Sequence, residues 1–311
     1  MARPVIFDCD PGVDDCIALM VALASPQDFD VLGITTVAGN VPLETCTHNA
    51  LALTALVGRT DVEVYAGCPR PLVEKAVAAR HIHGETGLGA AKLPDPAREA
   101  SQTHAVDFLI EVLRAAPPGG VTLAPTGPLT NLAVALIKAP DIAEGIREIV
   151  LMGGARREGG NISASAEFNM YADPHAARVV FQSGLPITAI GLDTTLQLRC
   201  TPVRHRALES AGNVAGKTAA DMIGHVNQVY GEIYGSEGAA LHDPCVVAYL
   251  LAPELFTTVP AAIDVETRAG LTRGHTSVDV FSAEEACNAR WATTLKAEPV
   301  FDLLLERISR L

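Results

Sequence analysis

Short apolar runs alternate with stretches whose apolar residues recur at helical spacing through most of the chain. The strand-like runs are Val5–Phe7, Val31–Thr36, Val62–Tyr65, Val121–Ala124, Ile149–Met152 and Ile187–Ile190. The helix-like stretches are Asp14–Ala24, Leu43–Val57, Ala105–Leu113, Leu129–Lys138 and His175–Gln182. This alternation predicts an open, mostly parallel sheet with helices on both faces. Because no internal repeat or linker interrupts the pattern, we predict one α/β domain over residues 1–311.

Composition agrees with this architecture and narrows the choice of partners. Hydrophobic residues make up 49% of the chain and aromatic residues 5%, so the core consists mainly of aliphatic side chains, as in sheets covered on both faces. The net charge of -13 disfavours nucleic acid and anionic membranes as partners. We expect a small neutral or cationic substrate instead.

The cysteines and the N-terminus predict the compartment. Seven cysteines without a C-x-x-C pair are typical of reduced thiols in a cytoplasmic protein. The chain begins without a signal-peptide pattern, and no apolar run reaches the roughly 18 residues that span a bilayer. We therefore expect a cytoplasmic protein.

The end of the first strand carries the most informative group of residues. Asp8, Asp10, Asp14 and Asp15 lie within eight residues, around a Pro-Gly turn. Like charges this close repel one another unless a cation lies among them, and Ca²⁺ or Mg²⁺ binds oxygen ligands of this kind. Alternatively, Asp14 and Asp15 only favour a helix N-terminus. Four acids around one turn favour the metal site.

Polar side chains also follow later strands of the predicted sheet. Asn40 follows the second strand and Thr126 the fourth, and Asn161, Glu167 and Asn169 follow the fifth. Because parallel strands end at one edge, where ligands bind in open α/β sheets, these residues predict a single site. In an extended segment Glu167 and Asn169 point the same way and could bind hydroxyls of one sugar. The alternative for this pair is an ordinary polar loop.

Two histidine-containing segments complete the candidates. In His242-Asp243-Pro244, Asp243 is a candidate metal ligand and His242 a candidate proton donor or ribose contact. The same residues also fit a helix start with Asp243 as N-cap, and both interpretations can hold together. His83 lies in a glycine-rich loop, which is typical of a mobile active-site loop. Zinc spacing is absent around it.

One motif is a coincidence. Residues 211–218 fit a relaxed phosphate-loop pattern, but Ala211 stands where the strict pattern requires glycine and no buried strand precedes it. We therefore do not predict a nucleotide-triphosphate site.

Taken together, these residues closely resemble the nucleoside hydrolases of the inosine–uridine-preferring type over nearly the whole chain. The matching motifs are Asp8-x-Asp10-Pro-Gly-x-Asp14-Asp15, Gly39-Asn40, His83-Gly84-x-x-Gly87-Leu88, Thr126-Gly127-Pro128-Leu129-Thr130-Asn131-Leu132, Met152-Gly153-Gly154, Glu167-Phe168-Asn169 and His242-Asp243-Pro244. The resemblance implies a Rossmann-like fold, a homodimer or homotetramer, and calcium-dependent cleavage of the N-glycosidic bond of ribonucleosides.

The resemblance also implies a role for each matching residue. Calcium would be held by the carboxylates of Asp10, Asp15 and Asp243 and by the backbone carbonyl of Thr126. The ribose hydroxyls would be bound by Asp14 and Asn40 on the 2′,3′ side, by Asn169 at the 3′ position, and by Asn161 and Glu167 at the 5′ position.

The implied mechanism gives two further roles. Asp10 would act as general base toward a calcium-bound water, and His242 would protonate the departing base directly or through water. His83 would approach the base. Tyr230 and Tyr234, within the wall Ile223–Gly238, would stack on the base or hydrogen-bond to it. We expect broad inosine and uridine hydrolysis first, and a pyrimidine preference as the alternative.

Two other classes of protein share part of this pattern. Magnesium-dependent phosphatases of the haloacid dehalogenase type also begin with a strand and Asp-x-Asp, here Asp8 and Asp10, although Gly12 and the following acid pair fit a metal cage better. A non-catalytic ribonucleoside-binding protein could have the same site without turnover.

Overall fold

The computed structural model describes residues 2–235 and 237–311, with the side chain of Tyr234 outside that description. The strands are β1 (Arg3–Cys9), β2 (Phe29–Thr36), β3 (Val64–Ala66), β4 (Val121–Pro125), β5 (Ile146–Met152), β6 (Ile187–Ile190), β7 (Phe256–Val265), β8 (Thr276–Asp279) and β9 (Ala289–Leu295). They form one nine-stranded sheet in the order β3-β2-β1-β4-β5-β6-β9-β7-β8. The predicted single-domain, mostly parallel α/β fold is confirmed.

Helices connect the strands and cover the sheet. They are α1 (Val13–Leu23), α2 (Leu43–Leu56), α3 (Arg80–His83), α4 (Ala105–Ala115), α5 (Thr130–Lys138), α6 (Phe168–Ala172), α7 (Pro174–Phe181), α8 (Leu192–Thr195), α9 (Pro202–Glu209), α10 (Val214–Tyr234), α11 (Pro244–Leu251) and α12 (Ala297–Ile308). Short 3-10 helices lie at Pro140–Gly145, Pro253–Leu255 and Glu284–Ala286. None of the described helices is long and apolar enough to cross a membrane.

The strand order indicates where a ligand-binding cleft should lie. β1 pairs in parallel with β2 on one side and β4 on the other, so successive crossovers run outward in opposite directions from the β1–β4 pair. This is a topological switch point, and in open α/β sheets ligands bind at the carboxyl ends of the strands beside it. The residues after β1 and β4 are therefore the expected floor of a site.

The helix that follows β1 is unusual for its burial. Every residue of α1 except Asp14 is buried, and the helix packs against both α10 and α11. A helix that is apolar all round belongs in the interior, so α1 lies between the sheet and the outer helices. Its N-terminus, with Asp14 and Asp15, is thereby held at the base of the cleft.

The last third of the fold was not predicted by the hydrophobic pattern. β7 and β8 are antiparallel to their neighbours, and buried, half-buried and exposed positions are interspersed along β7. Pro260 interrupts the apolar run of β7 and suits a strand near an edge. These strands extend the sheet far from the switch point.

Candidate active site

Three carboxylates meet at the base of the cleft. Ligand atoms of Asp14, Asp15 and Asp243 lie within 4.8 Å of one another. Burial raises the pKa of Asp15 to about 6, with the nearby charge of Asp14 as the next cause. Burial likewise raises the pKa of Asp243 well above its usual range, followed by the charges of Asp14 and Asp15. Burial and mutual repulsion therefore both disfavour the fully ionised form of this cluster.

Asp10 lies beside this cluster and is almost fully buried. Its Oδ2 accepts a hydrogen bond from the backbone N–H of Asn40 at 2.6 Å. Its Oδ1 is buried and has no hydrogen-bond partner among the described residues. Burial, and then the charge of Asp15, raises the pKa of Asp10 well above its usual range. An orphaned carboxylate oxygen next to three further carboxylates fits a divalent cation with oxygen ligands.

Two glycines make room for the Asp10 carboxylate. A Cβ on Gly39 would lie 2.0 Å from Oδ2 of Asp10, and a Cβ on Gly127 would lie 2.6 Å from Oδ1. Because neither gap can hold a methyl group, both positions need glycine for close approach rather than for backbone freedom.

We expect Gly39→Ala to displace the Asp10 carboxylate and break its hydrogen bond from Asn40. A displacement of this size should lower kcat/KM for nucleoside hydrolysis by about 10²-fold or more. Steady-state kinetics measure the loss, and far-UV circular dichroism should show an unchanged fold. Normal activity in the alanine variant would mean that the carboxylate position does not matter.

Thr126 connects the carboxylate cluster with Asn169 on α6. Its hydroxyl donates to Oδ1 of Asp15 at 2.7 Å, and its carbonyl accepts from Nδ2 of Asn169 at 2.6 Å. The carbonyl, which the resemblance assigns to calcium, is thus close to the ribose-binding candidates. Asp10, Asp15, Asp243 and Thr126 are brought to one place, and their role as the ligand set stays a prediction.

Glu167 and Asn169 both line the pocket, but not from an extended segment. Glu167 is the N-cap of α6, and Asn169 lies within that helix. The extended-segment argument was therefore wrong about local structure: the Glu167 carboxylate accepts the N–H of Asn169 at 2.9 Å and starts a helix there. It also accepts the N–H of Gly154 at 2.9 Å. Burial raises the pKa of Glu167.

Asn161 also lines the pocket. Its Oδ1 accepts the backbone N–H of Phe168 at 2.9 Å, which fixes the loop between β5 and α6 against the start of α6. Two predicted 5′-hydroxyl contacts, Asn161 and Glu167, therefore come from one anchored segment.

The two histidines also line the pocket. His83 is the last residue of α3 rather than part of a loop as predicted, and its Nδ1 accepts the backbone N–H of Val13 at 3.2 Å, so α3 contacts the start of α1. His242 is held between Oγ1 of Thr195 and the hydroxyl of Tyr230. Burial lowers the pKa of both His83 and His242. The Tyr234 side chain, predicted to contact the base, lies outside the described residues.

An open pocket of about 790 Å³, including space open to solvent, connects these groups. Polar residues form one end, and the other end has an apolar wall. The apolar lining includes Ile82, Phe168, Ile223, Val226 and Leu241. A few converging polar groups with an apolar wall are typical of a small-molecule site.

Two residues at the site were missed by sequence reasoning. Asn49 Nδ2 donates to the carbonyls of Pro11, at 3.0 Å, and Thr86, at 2.9 Å, and so ties the acidic loop to the loop that follows α3. The second residue is Thr195, the partner of His242. Asn49 could have been singled out, because it is the one amide side chain in the sequence of α2. Nothing in the sequence pattern singled out Thr195.

Asp8 tests the phosphatase alternative. Its Oδ1 accepts hydrogen bonds from Thr35 and Asn131 at 2.7 and 2.8 Å, and burial raises its pKa to about 6. Asp8 is not among the residues that line the pocket. Its Oδ2 is buried and has no hydrogen-bond partner among the described residues, but it does not reach the pocket, so Asp8 is not presented to a substrate as a nucleophile. This argues against the phosphatase alternative.

Comparisons with known proteins identify the family of the chain. The family model of the inosine-uridine preferring nucleoside hydrolases matches residues 5–302. The chain is 42% identical to the pyrimidine-specific ribonucleoside hydrolase RihA of Photobacterium profundum, with 99% of both chains covered. It is 44% identical to RihB, also named pyrimidine-specific, of Escherichia coli, over 89% of this chain and 87% of that one.

A solved structure agrees as well. The purine-preferring ribonucleoside hydrolase from Gardnerella vaginalis is 38% identical, with a TM-score of 0.92 and coverage of 99% of this chain and 98% of that one. Fold, site and relatives together define an enzyme that hydrolyses N-glycosyl bonds. The chain belongs to the inosine-uridine preferring nucleoside hydrolase family.

Proposed function

We propose that the protein is a calcium-dependent hydrolase of ribonucleosides that releases ribose and the free base. The observation that carries the proposal is the buried, unpartnered Oδ1 of Asp10 beside the cluster of Asp14, Asp15 and Asp243. Oxygen-only ligands at a buried acidic site favour a hard cation, and ligands from several separate segments suit the flexible coordination of calcium.

Asp10 is the proposed general base. A calcium ion held by Asp10, Asp15, Asp243 and the Thr126 carbonyl would supply positive charge that orients the ribose diol and a water. Asp10 would take a proton from the attacking water as the water oxygen bonds to the anomeric carbon and the N-glycosidic bond breaks, and His242 would protonate the departing base.

The ribose contacts follow from the polar end of the pocket. Asp14, Asn40 and Asn169 line it near the carboxylate cluster, and Asn161 and Glu167 line it farther along the β5–α6 loop. We propose that the first group binds the 2′- and 3′-hydroxyls and the second group the 5′-hydroxyl. Developing positive charge on the ribose is stabilised by the surrounding carboxylates.

The base is proposed to lie against the apolar wall, close to His83, His242 and Tyr230. The family description names inosine and uridine, so both are proposed substrates. The second candidate is a pyrimidine-specific enzyme, which the names of two relatives at 42% and 44% identity favour.

A substrate panel tests the proposal. Release of reducing sugar should be measured with inosine, guanosine, adenosine, uridine and cytidine, in calcium and after chelation. Turnover of inosine and uridine that needs calcium supports broad hydrolysis, and turnover of uridine and cytidine alone supports pyrimidine specificity. Tight binding without turnover would instead indicate a binding protein.

The role of His242 has its own test. We expect His242→Ala to lower kcat/KM by about 10²-fold or more on inosine, because a departing purine needs a proton. On p-nitrophenyl riboside the loss should stay below about tenfold, because nitrophenolate departs without protonation. Equal losses on both substrates would remove His242 from the protonation of the base.

Assembly and location complete the proposal. The family resemblance supports a homodimer or homotetramer, which analytical ultracentrifugation would distinguish. The seven cysteines are free thiols, as expected for the cytoplasm.

A further inference from the structure

Both ring nitrogens of His242 have hydrogen-bond partners. Nδ1 lies 2.8 Å from Oγ1 of Thr195, and Nε2 lies 3.2 Å from the hydroxyl of Tyr230. In a neutral imidazole one nitrogen carries the proton and the other accepts, and the partners decide which. The tautomer of His242 can therefore be read from the groups on either side.

Thr195 decides the direction of the first hydrogen bond. Its side chain is fully buried, and within the described part of the chain His242 is the one side-chain partner of its hydroxyl. A hydroxyl that accepted from Nδ1 would leave its own hydrogen buried without an acceptor, which is costly. A hydroxyl that donates to Nδ1 leaves only lone pairs unused. Thr195 therefore donates.

We propose that Thr195 is a positioning residue that holds His242 in the tautomer with an unprotonated Nδ1 and the proton on Nε2. This deepens the proposed function, because the N–H of His242 then faces Tyr230 and the pocket that receives the base. The opposite tautomer would present a lone pair to a departing base that needs a proton. Thr195 thus acts on the reaction only through His242.

The local backbone makes Thr195 suitable for this task. Thr195 ends α8, the short helix that follows β6, and its N–H donates to the carbonyl of Gly191 at 3.0 Å. A β-branched side chain in a helix has few χ1 rotamers, and in the one adopted here the buried hydroxyl lies within hydrogen-bond distance of His242. The contact is therefore formed without a substrate.

The neighbouring Thr194 provides a matched control. It is equally buried, but its hydroxyl has no hydrogen-bond partner among the described residues. Replacing either threonine by valine removes a hydroxyl from the same turn and keeps the shape. Only the change at Thr195 affects His242.

The tautomer is measured directly by nitrogen NMR. The full-length protein is labelled with ¹⁵N-histidine and studied with calcium at about pH 8, above the ordinary imidazole pKa of about 6.5. His242→Gln identifies the His242 signals. The wild-type spectrum should show a bare Nδ1 and a protonated Nε2, and Thr194→Val should leave this pattern unchanged. In Thr195→Val the two nitrogens should move toward averaged positions as both tautomers become populated.

Kinetics give the second readout. Thr195→Val should lower kcat on the purine nucleoside inosine by about 10- to 100-fold, the range found when metal-bound histidines lose an orienting partner, with a smaller change in KM. Thr195→Ser keeps the hydroxyl and should restore most of the rate, and Thr194→Val should match wild type.

A wild-type His242 with its proton on Nδ1 would overturn the proposal, whatever the variants do. So would a Thr195→Val protein that keeps the wild-type tautomer and rate. The NMR result does not depend on turnover. If the wild-type enzyme hydrolyses no ribonucleoside, the proposed function fails while the tautomer is still decided.

Discussion

Asp10→Asn should lower kcat for ribonucleoside hydrolysis by about 10²- to 10⁴-fold, the range expected for loss of a general base. Asparagine keeps the shape of the side chain and can still accept from the Asn40 N–H, so the fold should persist. It cannot take a proton from water, and it is a weaker ligand for a cation. Steady-state kinetics on inosine and uridine in saturating calcium measure the loss.

When calcium is absent from both samples, the Asp10→Asn variant should be more stable than the wild type. Burial raises the pKa of Asp10 well above its usual range, so at neutral pH this carboxyl group destabilises the folded state relative to the unfolded state. Replacing it with an amide, which does not ionise, should raise the melting temperature in a chelator. In calcium this advantage should disappear, because the variant loses a ligand.

Asp8→Asn is the matched control for this experiment. Asp8 is also buried on β1, but its carboxylate accepts from Thr35 and Asn131 within the sheet. We expect its kcat to stay within about tenfold of wild type. Near-normal activity of Asp10→Asn, or equal losses in both variants, would show that Asp10 has no special role in catalysis.

Removing calcium should have the second large effect, on stability, and the effect should grow with pH. Asp15 has a pKa of about 6 in the folded protein against 3.8 ordinarily. Between pH 3.8 and about 6, the ordinary and the folded-state pKa, the metal-free folded state binds more protons than the unfolded state. Its free energy of unfolding therefore falls as pH rises. The loss is on the order of 3 kcal/mol for this carboxyl. Asp10 and Asp243 shift in the same direction.

Calcium held by the proposed ligands would keep these carboxylates ionised in the folded state and so remove the loss. The rise in melting temperature caused by calcium should be small near about pH 4.5 and roughly 5–10 °C near about pH 7. Buried His83 and His242 have lowered pKa values. Their contribution to the free energy of unfolding is therefore lost as pH falls below about 6.5, the ordinary imidazole pKa. Comparing calcium with chelator at each pH separates the carboxylates from these histidines.

Differential scanning calorimetry across this pH range checks the prediction. Asp15→Asn is the control, and its response to calcium should be much smaller than that of wild type. A calcium effect that is absent, or that is the same at all pH values, would contradict a metal site built from these carboxylates.

Much of the catalytic half of the fold could be predicted from sequence. The strand-like run Ile187–Ile190 matches β6 to the residue, and Leu43–Val57 matches α2 to within one residue. Both are regular patterns bounded by clear turns, in which local periodicity and tertiary burial agree. β7 combines a proline with partly exposed positions, so its pairing depends on neighbours that are distant in sequence.

By itself, the sequence determined the αβ alternation, the acids after β1 and the polar residues after β4 and β5, because periodicity, charge and motif spacing are local properties. It also indicated the family through ordered motifs. Only the tertiary structure decided that Asp10 keeps an oxygen without a partner, that Glu167 starts a helix, and that Thr195 faces His242. The helix start at Glu167 is a contact with its own neighbour Asn169, which hydrophobic alternation does not reveal. The surroundings of Asp10 include Asn40 and Gly127, and the contact of Thr195 with His242 joins segments more than forty residues apart. No local pattern encodes such a meeting of distant segments.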